Sequence, residues 1–461
     1  MITLFEHQRR CVDLLARNPR FGLWLEPGMG KTITTLAAIQ ADPIRTVVVC
    51  PKSIMSSAWL RDAQHFPSLN VRILAHANPA KRLEAIQNAH WHVGILNFDQ
   101  FKTLRRELLE AGVERLVVDE SSKLKNPDSA ITKAAIHFAD RMASVWLLSG
   151  TPAPNSPVEY YSQIRAMRKD VCGDLYYRWI YQIATPIREK VWRKPVNRPA
   201  RQIDVIVGYK QSETQRAELE RQLGMCSIAM RKQDALDLPK QTNIVRTFTL
   251  DEAEADAYRE VADNLRIMFR NEVERVSGEA ALMKLRQVTG GHIITGDVPR
   301  QIGRSKLNAL NDTLDEIGPR PCLIWAEFRH EIDAIAELCR RRDESVSIID
   351  GRTSSIAGGL AAQFQDGQIQ RLICQPQAAG HGITLTRASY AVYYSLGFSY
   401  ENFKQSRDRI HRVGQTEPCT YYILIAEDTV DEATYGVIRG KGKASDALLA
   451  VLSGNMKSLA E

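Results

Sequence analysis

Lys31 and Thr32 close the run Leu25-Glu26-Pro27-Gly28-Met29-Gly30-Lys31-Thr32, whose residue types suit one task, the holding of a polyphosphate. Gly28 and Gly30 let main-chain N–H groups turn inward, and with no Cβ in the way the backbone around Met29 can approach a phosphate closely. A helix that starts near Lys31 adds the positive end of its dipole. The Lys31 ammonium can reach β- and γ-phosphates, and the Thr32 hydroxyl can ligate Mg²⁺. The strict form of this loop asks for a glycine where Leu25 stands.

Two further groups have the chemistry of phosphoryl transfer. The apolar run Arg115 to Val118 leads into Asp119-Glu120. A strand that ends in two carboxylates delivers both to the carboxyl edge of a sheet, beside such a loop. Asp119 is then placed to hold Mg²⁺ with Thr32, and Glu120 to orient and deprotonate the attacking water. Farther along, Gln405-Ser406-Arg407-Asp408-Arg409-Ile410-His411-Arg412 reads as helical. Arg409 and Arg412 are three apart, so one helix face would carry both guanidinia. Arginine is suited to the charge that redistributes on a γ-phosphate. Loop on one lobe and arginines on another would let nucleotide close a cleft that hydrolysis reopens.

The elements that must position these groups follow from hydrophobic patterning. Residues 5–17 have helical spacing. Short apolar runs then recur at Phe21–Leu25, Thr46–Cys50, Val71–Leu74, Val93–Asn97, Leu116–Asp119 and Val145–Leu148, separated by helical stretches. Valine- and leucine-rich strands alternating with helices imply a parallel sheet covered on both faces. A second alternation runs from Ser305 through Cys322–Ala326, Val346–Ile349, Leu372–Cys374, Ala391–Leu396 and Tyr421–Ile425. The expected organisation is an α/β chain of two parallel-sheet lobes in tandem: a nucleotide-binding lobe at 1–155, a basic helical insertion at 156–240, a helical connector at 241–300, and a second lobe with a helical tail at 301–461.

A chain of 461 residues exceeds one ordinary core, and 44% hydrophobic with 25% charged residues is the balance of a soluble globular protein. No run of eighteen apolar residues and no signal-peptide pattern is present, and the eight scattered cysteines form no metal or disulfide framework, which points to a reducing cytoplasm. The net charge of +7 is concentrated. Between Arg165 and Lys210 eleven Lys/Arg face four acids, with Tyr176, Tyr177, Trp179, Tyr181 and Trp192 interleaved. Such a mixture suits a polyanion, although aromatics at helical spacing also suit a core.

Taken together these blocks resemble the Swi/Snf-type branch of the superfamily-two helicase-like ATPases, in that family's order and over nearly the whole chain. FEHQRRCV resembles the adenine-reading motif, which implies that Gln8 meets the base. EPGMGKT and VVDESSKLKN resemble the two nucleotide motifs, and VVVCPKSI and LLSGTPAPN the DNA-contacting and coupling motifs of the first lobe. SIAMRKQDALDLPK is similar to the element before the crossover, RSKLNALNDTLDEI with PCLIWAEFRHEID to the start of the second lobe, and QAAGHGITLTRA with FKQSRDRIHRVGQ to its last motifs. The short length looks most like the phage and bacterial members.

The resemblance implies that the two lobes are RecA-like, with ATP and Mg²⁺ as ligands, double-stranded DNA as partner, and cytoplasmic work as a translocase that remodels or displaces something bound to DNA. It makes Lys52, Ser53, Asn97, Thr151, Arg352 and Thr384 candidates for DNA contact, and Gly150, Gly380, Gly382 and Gln405 candidates for coupling. Three positions depart from the pattern: Leu25 replaces an acid, Ser122 a frequent histidine, and Thr384 a frequent asparagine. A strand-separating helicase, which would need a wedge element, and a DNA-binding scaffold without turnover are the alternatives.

Overall fold

The chain is described by a computed structural model that covers residues 2–87, 90–153, 156–193, 201–270, 278–295, 298–353, 355–379 and 383–441. It divides into two compact units, Met1–Leu236 and Asp237–Glu461.

The first unit is built on β1 (Arg20–Leu25), β2 (Thr46–Cys50), β3 (Val71–Ile73), β4 (Val93–Asn97), β5 (Arg115–Asp119), β6 (Ser144–Leu148) and β9 (Ser227–Met230), with β7 (Thr185–Arg193) and β8 (Arg201–Lys210) apart from them. The seven strands pair in parallel in the order β3-β4-β2-β5-β6-β1-β9. The strands β1, β2, β5 and β6 feed two cores by alternation. Trp24, Val47, Val49, Leu116, Val118, Val145 and Leu147 pack on one face. Leu23, Leu25, Val48, Cys50, Val117, Trp146 and Leu148 pack on the other. Burial on both faces explains why the strands read as unbroken apolar runs, and each fully buried Val or Leu contributes about 1.5–3 kcal/mol. Helix α1 (Glu6–Arg17) precedes β1, and helix α2 (Lys31–Ala41) follows it. The order matters for chemistry: β6 lies between β1 and β5, so the loops after all three strands share one sheet edge.

The segment expected to be mostly helical is corrected in part. Helices do occupy Tyr161–Met167, Tyr176–Ile183 and Glu213–Gly224, but β7 and β8 form an antiparallel hairpin with an irregularity between Ile187 and Arg188. The reason lies in the pattern. Ile203, Val205 and Val207 alternate with period two, and Pro186 cannot serve inside a helix. Val205 and Ile206 are neighbours on β8, hence on opposite faces, and both are exposed. The short strand β9, in the same segment expected to be helical, joins the first sheet beside β1.

The second unit holds β10 (Gln241–Phe248), β13 (Cys322–Trp325), β14 (Val346–Ile349), β15 (Arg371–Cys374), β16 (Tyr390–Tyr393) and β17 (Cys419–Ala426), in the order β10-β17-β16-β13-β15-β14, again all parallel. A small hairpin, β11 (His292–Thr295) with β12 (Val298–Gln301), lies outside that sheet. Alternation again divides two cores: Leu323, Trp325, Leu372 and Ile423 on one face, Cys322, Ile324, Ile373 and Leu424 on the other. The edge strand β10, half exposed along its length, carries too little apolar signal to be read as a strand. Each unit is therefore a parallel sheet covered by helices, as the alternating runs imply.

Candidate functional site

The phosphate loop leaves β1 at Leu25. Gly28 and Gly30 adopt φ of 87° and 79°, the left-handed region that glycine enters without strain, and Gly30 caps the start of α2. Lys31 donates from Nζ to the carbonyl oxygen of Leu25 at 2.9 Å. This accounts for the departure at position 25. The Leu25 side chain is buried in the core, and the lysine uses only its main-chain carbonyl, which any residue supplies. Thr32 stands half-buried in the first turn of α2.

Gln8 lies against this loop. Its Nε2 donates to the Met29 carbonyl at 3.3 Å, its Oε1 accepts from the Phe5 N–H at 3.0 Å, and a Cβ on Gly30 would overlap the same amide nitrogen. A primary amide has one donor and one acceptor position to spare beyond these, the number a bidentate contact to a base needs. His7 also contacts the loop, with Nε2 at 3.0 Å from the Met29 oxygen.

Asp119 ends β5, almost fully buried. Trp59 Nε1 donates to its Oδ2 at 2.9 Å, and the Glu120 N–H donates to Oδ1 at 3.0 Å. Burial holds the Asp119 carboxyl above the usual carboxylate range, and the charge of Glu120 adds to this; Lys31 and the Trp59 hydrogen bond oppose it. A buried carboxylate crowded by a second one, with hydroxyl oxygen available at Thr32, is a donor set of hard oxygens that fits Mg²⁺. Glu120 sits at φ 57°, ψ 54°, a left-handed conformation that costs a non-glycine residue on the order of 1 kcal/mol or more. Ser122 is buried in the 3₁₀ turn Ser121–Leu124 that follows.

The loop after β6 completes this edge. Gly150 packs on the phosphate loop: a Cβ there would lie 2.7 Å from Pro27 Cδ. Thr151 donates its N–H to Ser149 Oγ at 3.1 Å. On the other side of β1, the end of β9 meets the loop, where the Lys232 N–H donates to Glu26 Oε2 at 2.9 Å. Trp59, His7, Gly150's partner Pro27 and the Glu26–Lys232 bond escaped sequence reasoning. The one signal available was the crowding of Pro27 between Glu26 and Gly28.

In the second unit the arginines converge, although by a different route from the one expected. The helix spans Tyr400–Arg407 and stops before Arg409. Residues 408–412 form turns instead, because Gln415 Nε2 donates to the carbonyls of Thr386, Ala388 and Ile410 and Ile410 is fully buried. Arg409 Nη1 and Arg412 Nη1 nevertheless both point at the Ile383 carbonyl, at 3.3 and 3.5 Å. Gln405 donates to Glu401 along its helix, and Thr384 is half-buried beside Ile383. Gly380 and Gly382 lie outside the described residues.

The remaining candidates are spread out. Lys52 and Ser53 are exposed on the turn after β2. Asn97 caps the helix Phe98–Thr103, accepting from the Gln100 N–H at 2.9 Å. Arg352 is clasped by Asp350 and Asp333, at 2.6 and 2.8 Å, so a phosphate would compete with two carboxylates for it. In the basic stretch, Trp179 is buried and donates to Gln222 at 2.7 Å, while Tyr177 and Tyr181 are exposed. Arg165 and Arg168 are paired with Asp140, Asp174 and Asp170. Exposed Arg178, Arg188, Lys190 and Lys210 carry the positive charge outward. Lys194 and Arg198 lie outside the described residues, as do the side chains of Trp192, Arg193 and Arg201.

Residues 7–290 match the SNF2-related domain, and residues 305–414 match the helicase conserved C-terminal domain. The chain belongs to the SNF2-related family. This SNF2-related chain is 28% identical over 448 residues to a Caenorhabditis elegans homolog of the SWI/SNF-related matrix-associated actin-dependent regulator of chromatin subfamily A-like protein 1, covering 95% of this chain and 61% of that protein. It is 22% identical to protein p41 of Acyrthosiphon pisum secondary endosymbiont phage 1, covering 97% of this chain and 98% of that one. With the human DNA annealing helicase and endonuclease ZRANB3 it shares 26% identity over 94% of its own length and 39% of the relative's. The chain thus spans about three fifths of the nematode relative and two fifths of the human one. It carries the paired domains of a helicase-like ATPase, and among the described residues no helix is long and apolar enough to cross a membrane.

Proposed function

We propose that this protein is an ATP-dependent translocase on double-stranded DNA, in which duplex DNA stimulates ATP hydrolysis and the motion remodels or displaces DNA-bound partners. The observation that carries the reading is the shared edge of the first sheet. There the glycine loop with Lys31, the buried Asp119 and the strained Glu120 follow β1 and β5, the arrangement that in-line attack of water on a γ-phosphate requires. Lys31 leaves the Leu25 carbonyl for the β/γ-phosphates, and Gln8 uses its spare amide positions on adenine. Thr32 and Asp119 would hold Mg²⁺, and the ion would supply neutralisation of charge on the phosphate oxygens. Glu120 takes a proton from water, and Arg409 with Arg412 supplies cations to the γ-phosphate.

Duplex DNA as partner is supported by the exposed cations between Arg178 and Lys210, by the exposed turn at Lys52 and Ser53, and by the DNA annealing activity in the name of the human relative. Backbone gripping of this kind reads charge rather than sequence. Thr151, Thr384 and Gly150 are the proposed points where DNA contact is relayed to the nucleotide. The test is steady-state ATP consumption without nucleic acid and with duplex DNA, single-stranded DNA and RNA in parallel. Duplex DNA is expected to stimulate most, and equal rates in all four reactions would refute the reading.

A second reading, strand separation, draws on the β7–β8 ribbon, which is exposed on both faces and so available as a wedge. Displacement of a strand from forked DNA in step with ATP use would favour it over translocation on intact duplex.

A further inference from the structure

We propose that Gln163 is a positioning residue for the hydrolytic step, tying the backbone just past Glu120 to the loop that follows β6. The inference rests on the function proposed above and adds to it a residue that lies in none of the family's motif blocks.

Gln163 sits on the helix Tyr161–Met167 and is fully buried. Its Oε1 accepts a hydrogen bond from Ser121 Oγ at 2.7 Å, and its Nε2 donates to the Pro152 carbonyl at 2.6 Å and the Glu159 carbonyl at 3.2 Å. Ser121 is likewise fully buried. A leucine would fill such a helical position without any polar cost, whereas a buried amide destabilises unless its bonds are made. Here all three are made: one to the neighbouring turn at Glu159, and two to other segments, at Pro152 and at Ser121.

Those two segments are the ones the chemistry needs in register. Ser121 follows Glu120, whose left-handed conformation persists only where the surroundings over-determine it. The Asp119 carboxylate fixes Glu120 on the N-terminal side by accepting its N–H, and the Ser121–Gln163 bond fixes it on the C-terminal side. Pro152 is two residues beyond Gly150, which packs directly on Pro27 of the phosphate loop. Phosphate loop, Gly150, Pro152, Gln163, Ser121 and Glu120 therefore form a connected chain of contacts within one unit. A displacement at 149–152, where Thr151 is proposed to meet DNA, must pull on the peptide that aims the Glu120 carboxylate.

The test compares Gln163→Leu, Ser121→Ala and the double variant by kcat and KM for ATP with saturating duplex DNA, and by thermal unfolding. Gln163→Leu is expected to lower kcat about tenfold, with KM for ATP changed by less than about twofold, the scale of coupling through a packed network. Ser121→Ala removes one arm and should lower kcat less. The double variant removes the unpaired hydroxyl, so its Tm should return toward wild type while its kcat stays low, because Pro152 has lost its tether. This pair of readouts keeps the proposal falsifiable if Gln163→Leu alone folds poorly. A folded Gln163→Leu with unaltered kcat, a rise in KM alone, or recovery of both Tm and kcat in the double variant would overturn it. Wild-type protein with no ATP hydrolysis would sink the proposed function and this role with it; wild-type hydrolysis with an indifferent Gln163→Leu would sink only this role.

Discussion

The two units hold their cations in the same manner and surround them differently. In the first, Lys31 rests on one main-chain carbonyl, that of Leu25; in the second, Arg409 and Arg412 share one carbonyl, that of Ile383. A charge-assisted bond to phosphate is stronger than one to a neutral carbonyl, so an arriving anion can draw a cation away from such a rest position. Lys31 acts on the buried Asp119 carboxylate, which Glu120 follows, and its loop is held by positive φ at Gly28 and Gly30, so the first unit carries the parts that the proposed binding and cleavage call for. Around Arg409 and Arg412 stand turns stapled by Gln415, and the groups they present are cations. Under the function proposed above, the contrast is one of supply: the first unit would provide the groups for binding and hydrolysis, and the second would provide arginines for the γ-phosphate.

The largest effect that can break this comparison is on chemistry in the first unit. Lys31→Ala and Glu120→Gln should each lower ATP turnover by at least about 10²-fold while leaving DNA binding within a few-fold, measured by phosphate release and by DNA titration. Turnover retained in both would remove the first unit from its assigned role. Next, Arg409→Ala or Arg412→Ala should lower kcat by about 10²-fold or more with nucleotide affinity little changed. Loss of affinity at constant kcat would make the second unit a binder instead of a responder.

A smaller effect sharpens the account of the loop. Gly30→Ala forces a side chain into a left-handed position already crowded by Gln8, and should cost about 1–3 kcal/mol in unfolding free energy together with weaker nucleotide binding. Unchanged stability would mean that α1 and the loop are not packed as described. The smallest effect lies outside both sites. Neutralising Arg188, Lys190 and Lys210, or Arg193, Lys194, Arg198 and Arg201, should weaken DNA stimulation and flatten the dependence of log K on log[salt] by about 0.9 for each phosphate no longer neutralised. An unaltered slope would separate the basic ribbon from DNA.

Much of this molecule is legible along the chain. β2, β4 and β14 fall on the residues that alternation marks, and α1 lies within the expected helix at 5–17. The strands Thr185–Arg193 and Arg201–Lys210 are harder to read, because the period-two signal is confined to Ile203, Val205 and Val207 and is blurred by Ile206, which is exposed like Val205 on the other face. The helix expected through Arg412 fails for a related reason. Its end is set by Gln415 reaching the carbonyls of Thr386 and Ala388, partners that spacing does not display.

The sequence by itself determined the reagents: a glycine turn with Lys31 and Thr32, an acidic pair closing a strand, and two arginines three residues apart. These are local facts, fixed by residue type and by period along a few turns or one strand. Only the tertiary structure decided who steadies them. Trp59 reaches Asp119 across 60 positions of sequence, Ser121 reaches Gln163 across 42, and Gly150 meets Pro27 because β6 lies next to β1. Strand order in a parallel sheet is set by how whole βα units stack, and no short window of residues contains that information.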